Sequence, residues 1–582
     1  VRDWRIRIPR IMPLIPLLAL LILAVACGAA ATAVPPAATQ APASAAGAPA
    51  APAAQPTVTA APKPTAVPPK TAPARNKAIV VTEAEPASVG AWTQGCSAEI
   101  HSLGCQELTQ DYMGWIDTKT TQTVLMSGFE SYEQKAPNRW RYKIRPGVKF
   151  HNGEPFNAEA AKLSLDWNGL GSNPGNRVNY TGVTTGEVVD DLTVDVVCKL
   201  ACPIFPRTAI FNQFVAPKWW ASATPEQKNA TSMGFGPYKN AGYRPGVDSQ
   251  FEAYDGYVVT PIYDGQKANI RFITHVYRAE ASVRAAMLIS GEADWAADIG
   301  FEEKKRVPQT KQSTTTEVYL LVLDTLWHPE LKKQKVRLAL AHAIDCQGLL
   351  DGLFKGAMKC HGAVAPPGSV GITPENSKPR TYDPALAKKL LAEAGYDPKN
   401  EINIYSRPGS NIRGLEILES TVTYWRAVGV TSKLNAIGDL GKAREIQQAG
   451  CGNYAKEAGY TEKWDCQERG PHSQFPATSH AYEIATSDEY LDMQRQSQLR
   501  MGCLSRSTRV CTPAIQKQID AAAAVPPGAE RTKLMTEVAD LAYNEVFFIP
   551  FFAVQMVYGL GKDVDWEPMY SPRFRGSTMK FK

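Results

Sequence analysis

The chain has 582 residues, 44% of them hydrophobic, and a formal net charge of +6. Such a length gives room for roughly two to four domains with cores of their own. Half of the net charge lies in residues 1–26, where Arg2, Arg5, Arg7 and Arg10 outweigh Asp3. The remainder holds no Lys/Arg block dense enough to track phosphates, which excludes nucleic acid as a partner.

Residues 1–26 are predicted to be a signal peptide. A basic start precedes the apolar run IMPLIPLLALLILAVA, which contains Pro13 and Pro16 and ends at Ala26-Cys27. The run is short for a membrane span, which needs about 20 residues. Small residues before a cysteine resemble the lipobox of bacterial lipoproteins, although Ala24 stands where leucine is usual. Cys27 is therefore expected to carry lipid and to anchor an exported protein on the periplasmic or extracellular face of the cell membrane. Residues 27–75 then form an Ala/Pro-rich linker, too poor in buriable surface to fold.

The clearest stretch of the folded part begins at Trp140. Trp140, Tyr142 and Ile144 alternate with basic residues, the period of a half-buried strand. Pro146-Gly147 predicts a turn, Val148–Phe150 a short strand and Asn152-Gly153 a second turn. Asn157 is placed to cap a helix beginning at Ala158, and Leu163 and Trp167, four apart, to pack that helix on a sheet. Next come a strand over Ala268–Tyr277, a helix over Glu280–Gly291 and a strand in ADWAADI. Glu317–Asp324 is a continuous apolar run, as in a strand buried on both faces. Helices follow in QKVRLALAHAID, with Val336, Leu340, Ala343 and Ile344 on one face, and in YDPALAKKLLAEAGY, capped by Asp383. A strand over Glu401–Ser406, a helix through GLEILESTVTYWRAVGV, and a last helix and strand over residues 528–560 complete an α/β chain.

Of the 11 cysteines, ten besides Cys27 fall in chain order as close pairs. They are Cys96 with Cys105, Cys198 with Cys202, Cys346 with Cys360, Cys451 with Cys466 and Cys503 with Cys511. An even set in an exported protein favours disulfides. The rival reading is metal binding, but the eight histidines are scattered and no tight ligand spacing occurs, so neither metal nor cofactor is expected.

Several of these stretches resemble the bacterial extracellular solute-binding proteins of family 5, the peptide-binding components of ABC importers. The likeness is carried in order by WRYKIRPGVKFHNGEPFNAEAAKLSLDW, GFGPYKNAGYRPG, LISGEADWA, KVRLALAHAIDCQGLLDGLFKGA, YDPALAKKLLAEAGY and, more loosely, ERTKLMTEVADLAYNEVFFIPFF. Residues 438–480 depart from the pattern. The resemblance implies an α/β, two-lobed periplasmic-binding-protein-like fold with crossing hinge strands, of the type II, peptide-binding class. Lobe I is expected over 76–320 plus 546–582, with an extra subdomain roughly within 110–235, and lobe II over 321–545.

It further implies a monomer that captures a peptide or other small solute by lobe closure and delivers it to an ABC permease. A carboxylate is expected to hold the peptide ammonium group, with Glu489 the first candidate and Asp488 and Asp492 the alternates. Trp92 is a candidate for stacking on the ligand and Arg407 for a ligand carboxylate. His151 and Glu154 are read as scaffold. The other readings are the same fold with a non-peptide cargo (oligosaccharide, nickel chelate or haem) and an exported hydrolase. The chain has no GxSxG, HExxH or GxxxxGK[ST] motif, which leaves a hydrolase without a recognisable centre.

Overall fold

The structure is a computed structural model that describes residues 76–82, 108–116, 123–169, 183–258, 267–407, 413–438, 442–443, 446–447, 480–503, 505, 507–568 and 574–582. The signal peptide, Cys27, the linker, Trp92, Cys96, Cys105, Cys451 and Cys466 lie outside the described residues.

The first strands are Lys77–Thr82 (β1), Gly114–Ile116 (β2), Thr123–Leu125 (β3), Phe129–Ala136 (β4), Arg139–Ile144 (β5), Val183–Asp190 (β6) and Thr193–Cys198 (β7). Four of them make an antiparallel sheet in the order β4-β5-β7-β6. In β5, Trp140, Tyr142 and Ile144 are buried and Lys143 is exposed, as alternation predicts. Gly147 adopts φ 80° and Gly153 φ 89°, the left-handed region where a side chain is strained. Val148–Phe150 is not a strand. The Asn152-Gly153 turn folds the chain straight back, leaving one bridge between Lys149 and Pro155.

The helix Ala158–Gly169 starts as expected, with Ala160 N donating to Asn157 Oδ1 at 3.1 Å. Leu163 and Trp167 pack around Val215 with Trp220 rather than on the sheet. The sheet instead meets this helix at Gly186, where an added Cβ would stand 2.9 Å from Lys162 Cα. A spacing of four puts two residues on one face but does not say which neighbour that face meets. Beneath the sheet, Phe129, Phe156, Phe214 and Phe235 form an aromatic core, with the rings of Phe156 and Phe235 4.6 Å apart.

The remaining strands build the main sheet: Tyr238–Arg244 (β8), Asp248–Ala253 (β9), Phe272–Tyr277 (β10), Trp295–Ala296 (β11) and Gln309–Leu323 (β12). Ile402–Ser406 (β13), Ser432–Ala436 (β14), Ala481–Ser487 (β15) and Phe548–Leu560 (β16) follow. Among the described residues the sheet has ten strands in the order β14-β13-β15-β12-β16-β11-β1-β10-β9-β8. Among the described residues its two halves share only β12 and β16, two long antiparallel strands that cross from one half to the other.

Burial on both faces explains the apolar run in β12. Tyr319, Leu321 and Leu323 enter one core with Leu340, Leu350 and Trp425. Val318, Leu320 and Val322 enter another with Ile519, Met535 and Val538. The strand is longer than predicted because its first half, QTKQSTTT, is polar and carries no apolar signal. In the other half Ala78 and Val80 of β1 face one core and Val81 another. Disulfides join Cys198 to Cys202, Cys346 to Cys360 and Cys503 to Cys511, as the pairing in chain order predicts, with Cα separations of 6.3, 6.2 and 4.8 Å.

Candidate ligand-binding site

The two shared strands are irregular where they pass between the halves. Thr314 pairs with Gln555 and Val318 with Ala553, so Thr315, Thr316 and Glu317 bulge out opposite Val554. A second shift falls at Pro550, which has no N–H for the ladder. Thr315 Oγ1 holds the bulge, donating to Val554 O at 3.1 Å and accepting from Glu317 N at 3.2 Å. On its other side β12 pairs with β15, and Asp488, the residue after β15, donates its N–H to Thr316 O at 2.7 Å. The fold therefore brings the predicted acidic tract to the bulge.

The three acids of that tract have different surroundings. Asp492 is closed off by Arg531, whose Nε and Nη2 donate to its two oxygens at 2.9 and 3.0 Å. Glu489 is paired with Arg495 at 3.5 Å. Asp488 accepts from Ser369 Oγ at 2.6 Å through Oδ2. Its Oδ1 is buried and has no hydrogen-bond partner among the described residues. Burial is the main cause that pushes the Asp488 carboxyl up to about 7; the Ser369 bond opposes it and the Asp492 charge adds to it. Thr316 Oγ1, on the bulge, is a second buried polar atom with no partner among the described residues. Two buried polar atoms at the crossing thus keep hydrogen-bonding capacity to offer.

Arg407 is held from its backbone, its N–H donating at 2.8 Å to Glu483 Oε1, which also takes Ser406 Oγ at 2.6 Å. Tyr319 OH bonds the other Glu483 oxygen, and burial first of all raises the Glu483 carboxyl. Nothing in the described residues brings Arg407 to the Asp488 carboxylate. His151 and Glu154 act within the scaffold: His151 Nε2 bonds Gly236 O at 3.0 Å, and Glu154 accepts from Lys218 N and Trp219 N. Burial lowers the His151 imidazole to about 4.

The sequence reading did not single out Arg207, Ser369 or Thr316, each of which bonds the acidic tract. Arg207 follows Phe205 in the run PIFPRTAIF, and a cation inside an apolar aromatic stretch was the available signal. Its Nε donates at 2.9 Å to Tyr490 O, while Tyr490 and Leu491 pack into the aromatic core of the four-stranded sheet. A separate cavity behind β16 is lined by Ile344, Arg380, Ala539, Tyr543 and Phe551, and by none of the residues at the Asp488 carboxylate. Among the described residues no cluster of His, Cys, Asp and Glu could hold a metal ion.

Comparison with known proteins agrees with this fold. Glutathione-binding protein GsiB of Pectobacterium atrosepticum is 28% identical over 323 residues, 53% of this chain and 60% of that one, so the match spans less than two thirds of the relative. The dipeptide binding protein of Pseudoalteromonas sp. SM9913, solved with Met-Leu, superposes with a TM-score of 0.71 at 18% identity, covering 87% of this chain and 100% of the other. The periplasmic protein AgaA of A. tumefaciens R10, solved with agropinic acid, gives 0.71 at 17% identity over 87% and 99%. These likenesses establish the two-lobed α/β fold with crossing strands. The family model for bacterial extracellular solute-binding proteins, family 5 Middle, matches residues 129–455, more than half of the chain, and the protein belongs to that family.

Proposed function

We propose that the protein captures a peptide outside the cytoplasm by closing its two lobes around it and hands it to the permease of an ABC importer. The lobes are the two halves of the main sheet, hinged at the bulged crossing of β12 and β16. A ligand that touches both lobes stabilises only the closed form, so binding and closure are linked. The observation that carries this reading is the buried, unpartnered Oδ1 of Asp488. A peptide ammonium group gives it a charge-assisted hydrogen bond, and main-chain contacts in the manner of strand addition leave side chains free to vary. The relatives' names support a peptide, since one is called glutathione-binding and one was solved with Met-Leu. Agropinic acid in AgaA supports the second reading, a non-peptide cargo in the same fold. We also propose that acylated Cys27 anchors the protein and that the Ala/Pro-rich linker lets the body stand away from the membrane.

Among the three acids the reading shifts from Glu489 to Asp488. Asp492 and Glu489 are already neutralised by arginines, whereas Asp488 has an acceptor to offer. Calorimetry on Asp488→Asn tests this. Loss of at least about tenfold in affinity for a dipeptide with a free amine, with the fold retained, is the expected result. Unchanged affinity rejects Asp488 as the anchor.

A further inference from the structure

Behind β16 a cavity of about 40 Å³ is walled by the helices Gln334–His342 and Ala529–Glu545 and by the loop that follows Cys360. It has a structural cause. β11 covers β16 only at Gly559 and Leu560, and the loop reaches the other end of the strand through one bridge, Cys360 to Phe552. Close-packed interiors leave few voids larger than a water, and this one has room for roughly three water-sized groups. Its walls are mostly apolar, among them Ile344, Val364, Ile372, Ala539, Val546 and Phe548, and no Asp or Glu lines it. Asn376, on the wall, is already spent: its Nδ2 donates to Gly371 O and Asp540 Oδ1 at 2.9 Å, and its Oδ1 accepts from Thr373 N at 2.8 Å. Arg380 is not. Its Nη2 donates to Tyr543 O at 2.7 Å, and its guanidinium carbon lies 3.7 Å from the centre of the Tyr543 ring, which holds the group in place. Among the described residues Nε and Nη1 have no hydrogen-bond partner and no carboxylate pairs with the group. Burial is the first cause that lowers its basicity, with no acid to oppose it.

We infer that this cavity is a second ligand site, and that it takes a short branched aliphatic carboxylate with its tail among the apolar walls and its carboxylate on Arg380. The inference does not depend on the proposed capture of cargo, since the cavity shares no lining residue with the Asp488 carboxylate. Charge and size select the class. The one charged side chain on the wall is a cation, so an amine or a free amino acid brings an ammonium group to a place without an acid. An amide or an alcohol fills the space but forgoes the charge-assisted bond. A tail much longer than about four carbons exceeds the room and leaves its end in water. The loop that forms one wall also carries Ser369, which bonds Asp488 at 2.6 Å, so a molecule held here rests on the segment that supports the proposed anchor.

The test titrates the intact protein by calorimetry at neutral pH with two molecules of one shape, isovalerate and isovaleramide, and with octanoate. Wild type is expected to bind isovalerate with a Kd of about 1 mM or tighter, and at least about tenfold better than isovaleramide. Octanoate is expected to bind no better than isovalerate. In Arg380→Gln the preference for acid over amide is expected to fall to within about threefold, and Arg380→Lys, which keeps a cation, is expected to regain part of it. Ala539→Leu fills the cavity without touching the cation and is expected to weaken isovalerate at least about tenfold, with thermal melting used to check that each variant is folded. Equal binding of acid and amide by wild type overturns the inference whatever the variants do. So does an undiminished acid preference in folded Arg380→Gln. Affinity that climbs steadily to octanoate also overturns it, because a closed cavity sets a limit and an open surface does not. No binding of isovalerate up to about 20 mM overturns it as well, and in every one of these cases the proposed capture of cargo stands.

Discussion

Asp488 keeps its proton in the folded protein across a range where a free aspartate has lost it. Its carboxyl titrates near 7, against about 3.9 in an unfolded chain. Between those values the folded state binds one proton more than the unfolded state, so this group makes the ligand-free protein less stable as pH rises through the window. In the proposed site ligand affinity runs the other way, because an ammonium group needs the carboxylate. Below pH 7 the affinity for a free-amine dipeptide is expected to fall by up to about tenfold per unit, and binding is expected to release a proton. Calorimetry in two buffers of different ionisation enthalpy measures both, and Asp488→Asn should abolish both. Asp492, Arg495 and Arg207 set the field around this titration. Arg531 has a different task. Arg531→Met leaves Asp492 buried and unpaired, and urea denaturation should show a loss of about 3–5 kcal/mol. No sequence rule separates these acids: Asp488, Glu489 and Asp492 stand within five residues, and only the arginines brought from positions 495 and 531 decide which one is left available.

At the scale of elements, alternation and capping were legible in the chain and partner choice was not. β5, the Asp383-capped helix Pro384–Glu393 and the doubly buried half of β12 follow directly from residue order, because side-chain period and cap chemistry are local. The polar half of β12 was hidden, since a strand that lies against other strands without a full apolar face leaves no periodic signal. The bulge at Thr315–Glu317 was hidden for a related reason: it exists only as a mismatch against β16, more than 230 residues away by its pairing of Thr314 with Gln555. The local disulfides were legible because closing a short loop needs only neighbours. Cys346–Cys360 links a helix start to the residue that bridges Phe552 on β16, beside the second irregularity. Replacing both cysteines by serine is expected to lower stability by about 3 kcal/mol, the chain-entropy value for a loop of about 15 residues, read as a shift in denaturant midpoint.

For the whole molecule, the family resemblance gave the two-lobed fold, while the surroundings of the proposed anchor remained obscure because Thr316, Ser369 and Asp488 come from three separate segments. Closure on a ligand should bring the lobes together as bodies with little change inside each core. Small-angle scattering is expected to show a smaller radius of gyration once a saturating dipeptide pool is added, with unchanged far-ultraviolet circular dichroism. An unchanged radius would remove the hinge from the mechanism. The order of the main sheet also bears on how the molecule is made. β16 is formed by residues 548–560 yet lies in the middle of the sheet, between β12 and β11. A nascent chain that has not reached residue 548 has no centre on which to zip its two flanks, and such distant pairings form slowly. Late arrival of the keystone strand keeps the polypeptide pliable during synthesis, which would suit the proposed export, in which a chain is threaded through a translocation channel before it takes its shape.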